Sequence, residues 1–260
     1  MNLEEAPIGI FDSGIGGTSI WREIHRLLPN ENTIYLADSK NAPYGEKSKE
    51  EIISLSKKNT ELLLSFGCKI IVVACNTATT NAIKILRETY NVPFIGIEPA
   101  IKPAALHSKT QTIGILATKG TLSSELFHET ASKLNKIKIV EQIGYGLVEQ
   151  IENGEINSLQ TKKLLQKYLQ PMIENQVDYI VLGCTHYPYL TNEIRKIIPN
   201  TIKIIDSGEA VAKQTKNILQ TNNLLNSSNK KGFQNFYTNK NIETLKYFVK
   251  ETTTIFEKDF

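Results

Sequence analysis

Short runs of β-branched and apolar residues alternate along this chain with longer stretches whose apolar positions recur at helical spacing. Runs of the first kind fall at Ile8 to Asp12, Thr33 to Asp38, Lys69 to Ala74 and Phe94 to Ile97, and amphipathic segments separate them. That alternation predicts βαβ units and a parallel sheet. The pattern then repeats, predicting strands at Thr112 to Leu116, Lys136 to Glu141, Asp178 to Gly183 and Thr201 to Asp206. Corresponding strand starts differ by about 105 residues, which suits two α/β halves of small-domain size.

The wording of the halves is also related. "IGIFDSGIGG" opens the first and "IGILATKGTL" the second, while "IIVVACNTA" and "YIVLGCTHY" end their third strands. The expected fold is therefore α/β, with two related, mainly parallel domains in a pseudo-twofold arrangement and an active site in the cleft between them. After Asp206 a helix is expected over Ser207 to Leu219, followed by the polar loop "QTNNLLNSSNKKG". About 30 residues are too few to bury a core of their own, so Phe233 to Phe260 is expected to return to the first half. The first domain is thus assigned 1–98 completed by 208–260, and the second 99–207.

Composition narrows the function. At 260 residues, 40% hydrophobic and 22% charged, the chain can bury a sizeable core. Its 30 basic against 27 acidic residues leave +3, and only Arg22, Arg26, Arg87 and Arg195 are arginine, so a nucleic-acid backbone binder is disfavoured. The lysines are spread along helical stretches and imply no membrane surface. Met1 to Pro7 carries Glu4 and Glu5 and no basic stretch, and no apolar run approaches about 18 residues, so neither a secretory signal nor a membrane span is expected. Cytoplasmic residence follows. Three cysteines, Cys68, Cys75 and Cys184, cannot all pair and have no zinc-ligand spacing, which points to reduced thiols.

Ligands of parallel α/β sheets bind beyond the carboxyl ends of the strands. The residues expected there are chemically rich: Asp12 to Gly17 after the first strand, Asp38 and then Pro43, Tyr44 and Gly45 after the second, Cys75, Asn76 and Thr77 after the third, and Cys184, Thr185 and His186 at the matching exit of the second half. The glycine-rich Ser13 to Gly17 turn could cradle an anion on backbone N–H groups, with a tight turn without a ligand as the alternative. It lacks the P-loop lysine and the full dinucleotide fingerprint. Cys75 precedes a helix, whose N-terminus lowers a thiol pKa, and Cys184 is placed the same way, with Pro188 in the next turn and His186 nearby. Cys68 reads as a small buried apolar residue, and each of the other two alone could be the same. Their equivalence across two halves, one near Asp12 and the other near His186, suggests two bases on opposite faces of one carbon. Inversion by proton transfer needs that geometry and no cofactor. Ser13, Asn76, Thr77 and Thr185 suit a substrate bearing carboxylates, such as an amino acid. His25, His107 and His128 match no motif, so a histidine metal site is not supported.

The segments "GIFDSGIGG", "ADSKNAPYG", "ACNTA" and "LGCTHYP" resemble, in order and over the full chain, the cofactor-independent glutamate racemases of the aspartate/glutamate racemase family. The resemblance implies Cys75 and Cys184 as acid/base thiols, Cys75 taking the proton from D-glutamate and Cys184 from L-glutamate. It implies Asp12 and His186 as their assistants, and Asp12, Ser13, Tyr44, Gly45, Asn76, Thr77, Thr185 and His186 as contacts of glutamate. It further implies a homodimer and a role in supplying D-glutamate for the cell wall. The chain departs from the family around the assisting glutamate, where it reads "QIGYGLVEQIENGE"; Glu149 is the best match and Glu152 competes. Two rivals stand beside this reading: a related racemase of aspartate or a hydantoin, and a cysteine hydrolase or transferase using Cys184 with His186. A non-enzymatic amino-acid receptor would use the same two-lobed cleft for binding alone.

Overall fold

The computed structural model describes residues 3–249 and 254–260; the sequence readings for Met1 to Pro7 and for the C-terminal segment fall partly outside these residues. The first half runs β1 (Ile8–Asp12), α1 (Thr18–Leu27), β2 (Thr33–Ala37), α2 (Lys49–Ser65), β3 (Ile70–Val73), α3 (Asn76–Thr89) and β4 (Phe94–Gly96). The second runs α4 (Ile101–His107), β5 (Thr112–Ala117), α5 (Lys119–Leu122), α6 (Glu125–Ser132), β6 (Lys138–Ile143), α7 (Leu147–Glu152), α8 (Leu159–Glu174), β7 (Tyr179–Gly183), α9 (Thr191–Arg195) and β8 (Lys203–Ile205). The chain closes with α10 (Gly208–Thr221), β9 (Gln234–Thr238), α11 (Ile242–Phe248) and β10 (Thr254–Glu257).

The strands form two sheets, ordered β10-β9-β2-β1-β3-β4 and β6-β5-β7-β8, with every pairing parallel. The four-strand order β2-β1-β3-β4 of the first half recurs as β6-β5-β7-β8 in the second. Through β9 and β10 the last part of the chain extends the first sheet, β9 pairing along all of β2. In the first sheet Ile8, Ile10, Ile70 and Val72 pack on one face, Phe11, Ile71 and Val73 on the other. Burial on both faces explains why these strands read as continuous apolar runs. Each such side chain contributes about 1.5–3 kcal/mol of transfer free energy. Gly9 leaves room for Cys68, whose Sγ would stand 2.9 Å from a Cβ at that position. Cys68 is thus a packing residue, and burial pushes its thiol up to about 12.

Two strands depart from the sequence reading. β6 begins two residues late because the Ile137 N–H donates to the Leu134 carbonyl and keeps Lys136 and Ile137 in a turn. β8 is short because Ile202 turns back onto Pro199, while Asp206 accepts from the Gly208 N–H at the start of α10.

Candidate active site

The carboxyl ends of both sheets face one small cavity. Ser13, Tyr44, Gly45, Cys75, Asn76 and Thr77 line it from the first half, and Thr118, Val148, Cys184, Thr185 and His186 from the second. Cys75 and Cys184, which end equivalent strands, therefore open into the same space. The free volume is only about 10 Å³, room for about one water-sized sphere, whereas ligand pockets are typically ~300 Å³ or more. The cleft is closed.

The two thiols are supported differently. Cys75 is the N-cap of α3, and its Sγ accepts from the Ala78 N–H at 3.4 Å and lies 3.7 Å from Ser13 Oγ. Its thiol is nevertheless pushed well above the ordinary range, by burial first and by the charge of Asp12 second, which outweigh the helix N-terminus. The expectation of a lowered pKa is corrected here: full desolvation outweighs a partial charge. Cys184 caps no α-helix, since a 3₁₀ turn at Tyr187–Leu190 follows it. Its neighbour is His186, whose Nδ1 lies 3.8 Å from Sγ.

His186 is fully buried, which opposes its charging. Its contacts with Cys184 and Glu152 win, and they hold the imidazole well above its ordinary value. Its Nε2 stands 2.6 Å from Glu152 Oε1. The carboxylate against His186 therefore belongs to Glu152 and not to Glu149, the better motif match. Val148 lines the cavity, and Glu152 lies four residues further along the same face of α7 with its carboxyl on His186.

The glycine-rich turn does hold anions, and they are the protein's own. The Gly17 N–H donates to Asp12 Oδ2 at 2.8 Å, and the Ile15 N–H donates to Glu152 Oε1 at 2.7 Å across the cleft. A Cβ at Gly14 would lie 1.9 Å from Glu152 Oε1, and one at Gly16 2.2 Å from His186 Nδ1. The glycines admit the second half's side chains. Asp12 is wholly buried and is raised to about 6 chiefly by burial, against the pull of His186 and the Gly17 N–H. Thr185 Oγ1 donates to Asp12 Oδ1 at 3.4 Å. Asn76 Nδ2 donates to the Ile97 carbonyl, leaving a buried Oδ1 without a hydrogen-bond partner.

Sequence reasoning missed Thr118, which shares hydrogen bonds with Thr77 Oγ1 at 2.8 Å and with Thr121. The signal was in the repeat: "IGIFDS" aligned with "IGILAT" makes Thr118 the counterpart of Ser13. The same alignment puts Ala117 opposite Asp12 and His186 opposite Thr77, so each thiol receives its helper from a different strand exit.

Two thiols at equivalent strand ends thus share one cavity, Cys75 beside Ser13 and Cys184 beside His186. The Asp/Glu/Hydantoin racemase family matches residues 8–215, and the chain belongs to that family; it is an isomerase. Among its relatives, the glutamate racemase of Herpetosiphon aurantiacus is 44% identical over 88% of this chain and 91% of its own, and that of Ralstonia pickettii 49% identical over 80% and 74%. Among solved structures, glutamate racemase isoform RacE1 of Bacillus anthracis superposes with a TM-score of 0.89 at 30% identity, covering 98% of both chains. The Escherichia coli glutamate racemase, in complex with L-glutamate and an activator, gives 0.85 at 31% over the same coverage. An aspartate racemase of Picrophilus torridus, 18% identical with a TM-score of 0.58, shares the fold.

Proposed function

We propose that this chain interconverts L-glutamate and D-glutamate by two-base proton transfer at the α-carbon. The observation that carries the reading is the opening of Cys75 and Cys184, from equivalent strands of the two halves, into one closed cavity. One thiolate takes the α-proton while the opposite thiol delivers its own to the other face, and each turnover leaves the pair in the reversed protonation state. Cys75 acts on D-glutamate and Cys184 on L-glutamate. Asp12 accepts the Cys75 proton when that thiol must become a base. His186, held by Glu152, stabilises the Cys184 thiolate. Ser13, the backbone of Tyr44 and Gly45, Thr77 and Thr185 receive the carboxylates, and the free Asn76 Oδ1 suits an ammonium donor. Fixed dipoles in a site without bulk water lower the cost of the developing carbanion. The remainder of the reading is a cytoplasmic homodimer that needs no cofactor and supplies D-glutamate for peptidoglycan. No helix among the described residues is long and apolar enough to cross a membrane.

The purified chain is expected to racemise L-glutamate without added cofactor and to incorporate solvent deuterium at Cα. Cys75→Ser and Cys184→Ser should each abolish racemisation while keeping the fold; full activity in either variant would end the two-thiol reading. A substrate panel with aspartate and hydantoins decides the substrate.

The line Cys184–His186–Glu152 also has the order of a hydrolase triad. That reading makes Cys75 dispensable and predicts a covalent acyl adduct on Cys184, visible by mass spectrometry.

A further inference from the structure

The mechanism leaves the buried side chain of Asp38 unused. Asp38 leaves β2 with 1% exposure, yet it does not line the cavity. Its oxygens are taken up by neighbours: Tyr44 OH donates to Oδ2, and Asn41 Nδ2 donates to Oδ1 at 2.7 Å. Tyr44 OH also accepts from Asn59 Nδ2 at 3.0 Å, so this hydroxyl is committed on the side away from substrate. The Tyr44 hydroxyl is thus tied to Asp38 and Asn59, and the position of Tyr44 and Gly45 at the cavity depends on how firmly the 39–47 loop is held.

The third donor to Asp38 comes from the far end of the chain. Asn239, between β9 and α11, donates from Nδ2 to Asp38 Oδ1 and, at 3.1 Å, to the Phe260 carbonyl. Its Oδ1 accepts from the Lys40 N–H at 2.9 Å. One amide thus grips both the carboxylate that anchors Tyr44 and the backbone at the start of the same loop. This residue lies beyond the stretch 8–215 that matches the family. It belongs to the segment that pairs β9 with β2.

We infer that Asn239 is a positioning residue for substrate binding, acting through Asp38 and Lys40 to fix the Tyr44–Gly45 backbone that holds a carboxylate of the amino acid. This rests on the racemase reading above. Such a role makes a specific kinetic claim: the loop holds ground state and transition state alike, so its loosening raises KM and spares kcat.

The test is Asn239→Ala in the full chain, with Asn239→Gln as the conservative variant and Tyr44→Phe as the partner. Asn239→Ala is expected to raise KM for L-glutamate about tenfold with kcat within about twofold, the range for losing a hydrogen bond to a buried charge. Calorimetric Kd for D-glutamate should weaken by the same factor, and Asn239→Gln should recover most of it. In the double variant with Tyr44→Phe the two effects should fall short of multiplying, because both act on one brace. Unchanged KM and Kd in Asn239→Ala, a loss of kcat in step with the folded fraction, or fully multiplicative effects would each overturn the inference. A wild-type chain that binds D-glutamate without turning it over would instead overturn the racemase reading, and the Kd series would still decide the role of Asn239.

Discussion

Asp12 is asked to be ionised in a place that resists ionisation. Burial raises its carboxyl from 3.8 to about 6, so between these values the folded chain keeps a proton that the unfolded chain has lost. The sign follows: stability from this group is full at acid pH and declines as pH rises through that window, reaching a cost on the order of 3 kcal/mol above it. The proposed mechanism needs the opposite state, because in it only the carboxylate can relieve Cys75 of its proton. The expected outcome is an acid limb in kcat/KM with an apparent pKa near 6. Asp12→Asn should abolish that limb, lower kcat/KM by about 10²–10⁴, and raise Tm at pH 8 relative to wild type, with the two curves converging toward pH 4. The fall must be equal in both directions, since the enantiomers have the same free energy. An unchanged limb in Asp12→Asn would assign the titration to another group.

At the scale of elements, the Gly14 to Gly17 turn between β1 and α1 sets how closely the second half can approach. Gly16→Ala would place a methyl group 2.2 Å from His186 Nδ1. The imidazole must then shift, while the turn itself stays well formed. Gly16→Ala is expected to lower kcat by more than about tenfold with Tm changed by only a few degrees; wild-type kcat in a folded variant would show that the turn tolerates a Cβ there. This crowding explains what was legible in the sequence and what was not. The strands of the first sheet were legible because two-sided burial leaves long apolar runs, and the paired cysteines because the repeat carries them. The purpose of the glycines was illegible, since Glu152 and His186 approach from residues more than a hundred positions away. The choice between Glu149 and Glu152 turns on which face of α7 meets the cleft, and their spacing of three residues does not decide it.

For the whole molecule, the proposed catalysis works in a closed cleft that must nevertheless open. Ile15 N–H to Glu152, Ser19 Oγ to the Thr185 carbonyl and Thr77 to Thr118 all join one half to the other. A cavity of about 10 Å³ is too small for an amino acid, so in the proposed reaction the halves move apart to admit it. The halves are linked where the chain crosses near Glu98 and Ser207, whose Oγ donates to the Glu98 carbonyl, and this crossing is a natural hinge. Opening the cleft would separate the Ile15 N–H from Glu152, so the support of His186 and Cys184 is complete only when the site is shut. The three thiols report on this motion. All are buried, but Cys75 and Cys184 face the cleft while Cys68 packs against Gly9 of β1, outside it. Iodoacetamide should therefore alkylate Cys75 and Cys184 slowly, through transient opening of the cleft, and Cys68 at a rate of its own, set by local opening away from the cleft. Glutamate at 100 times its Kd should slow the first two about a hundredfold by drawing the population into the closed, occupied form, and should leave the rate at Cys68, which does not face the cleft, unchanged. Peptide mapping after timed quenches separates the three rates. Alkylation of Cys75 and Cys184 at the rate of an exposed thiol, or without response to saturating glutamate, would mean that the cleft is open in solution and that closure does not assemble the site.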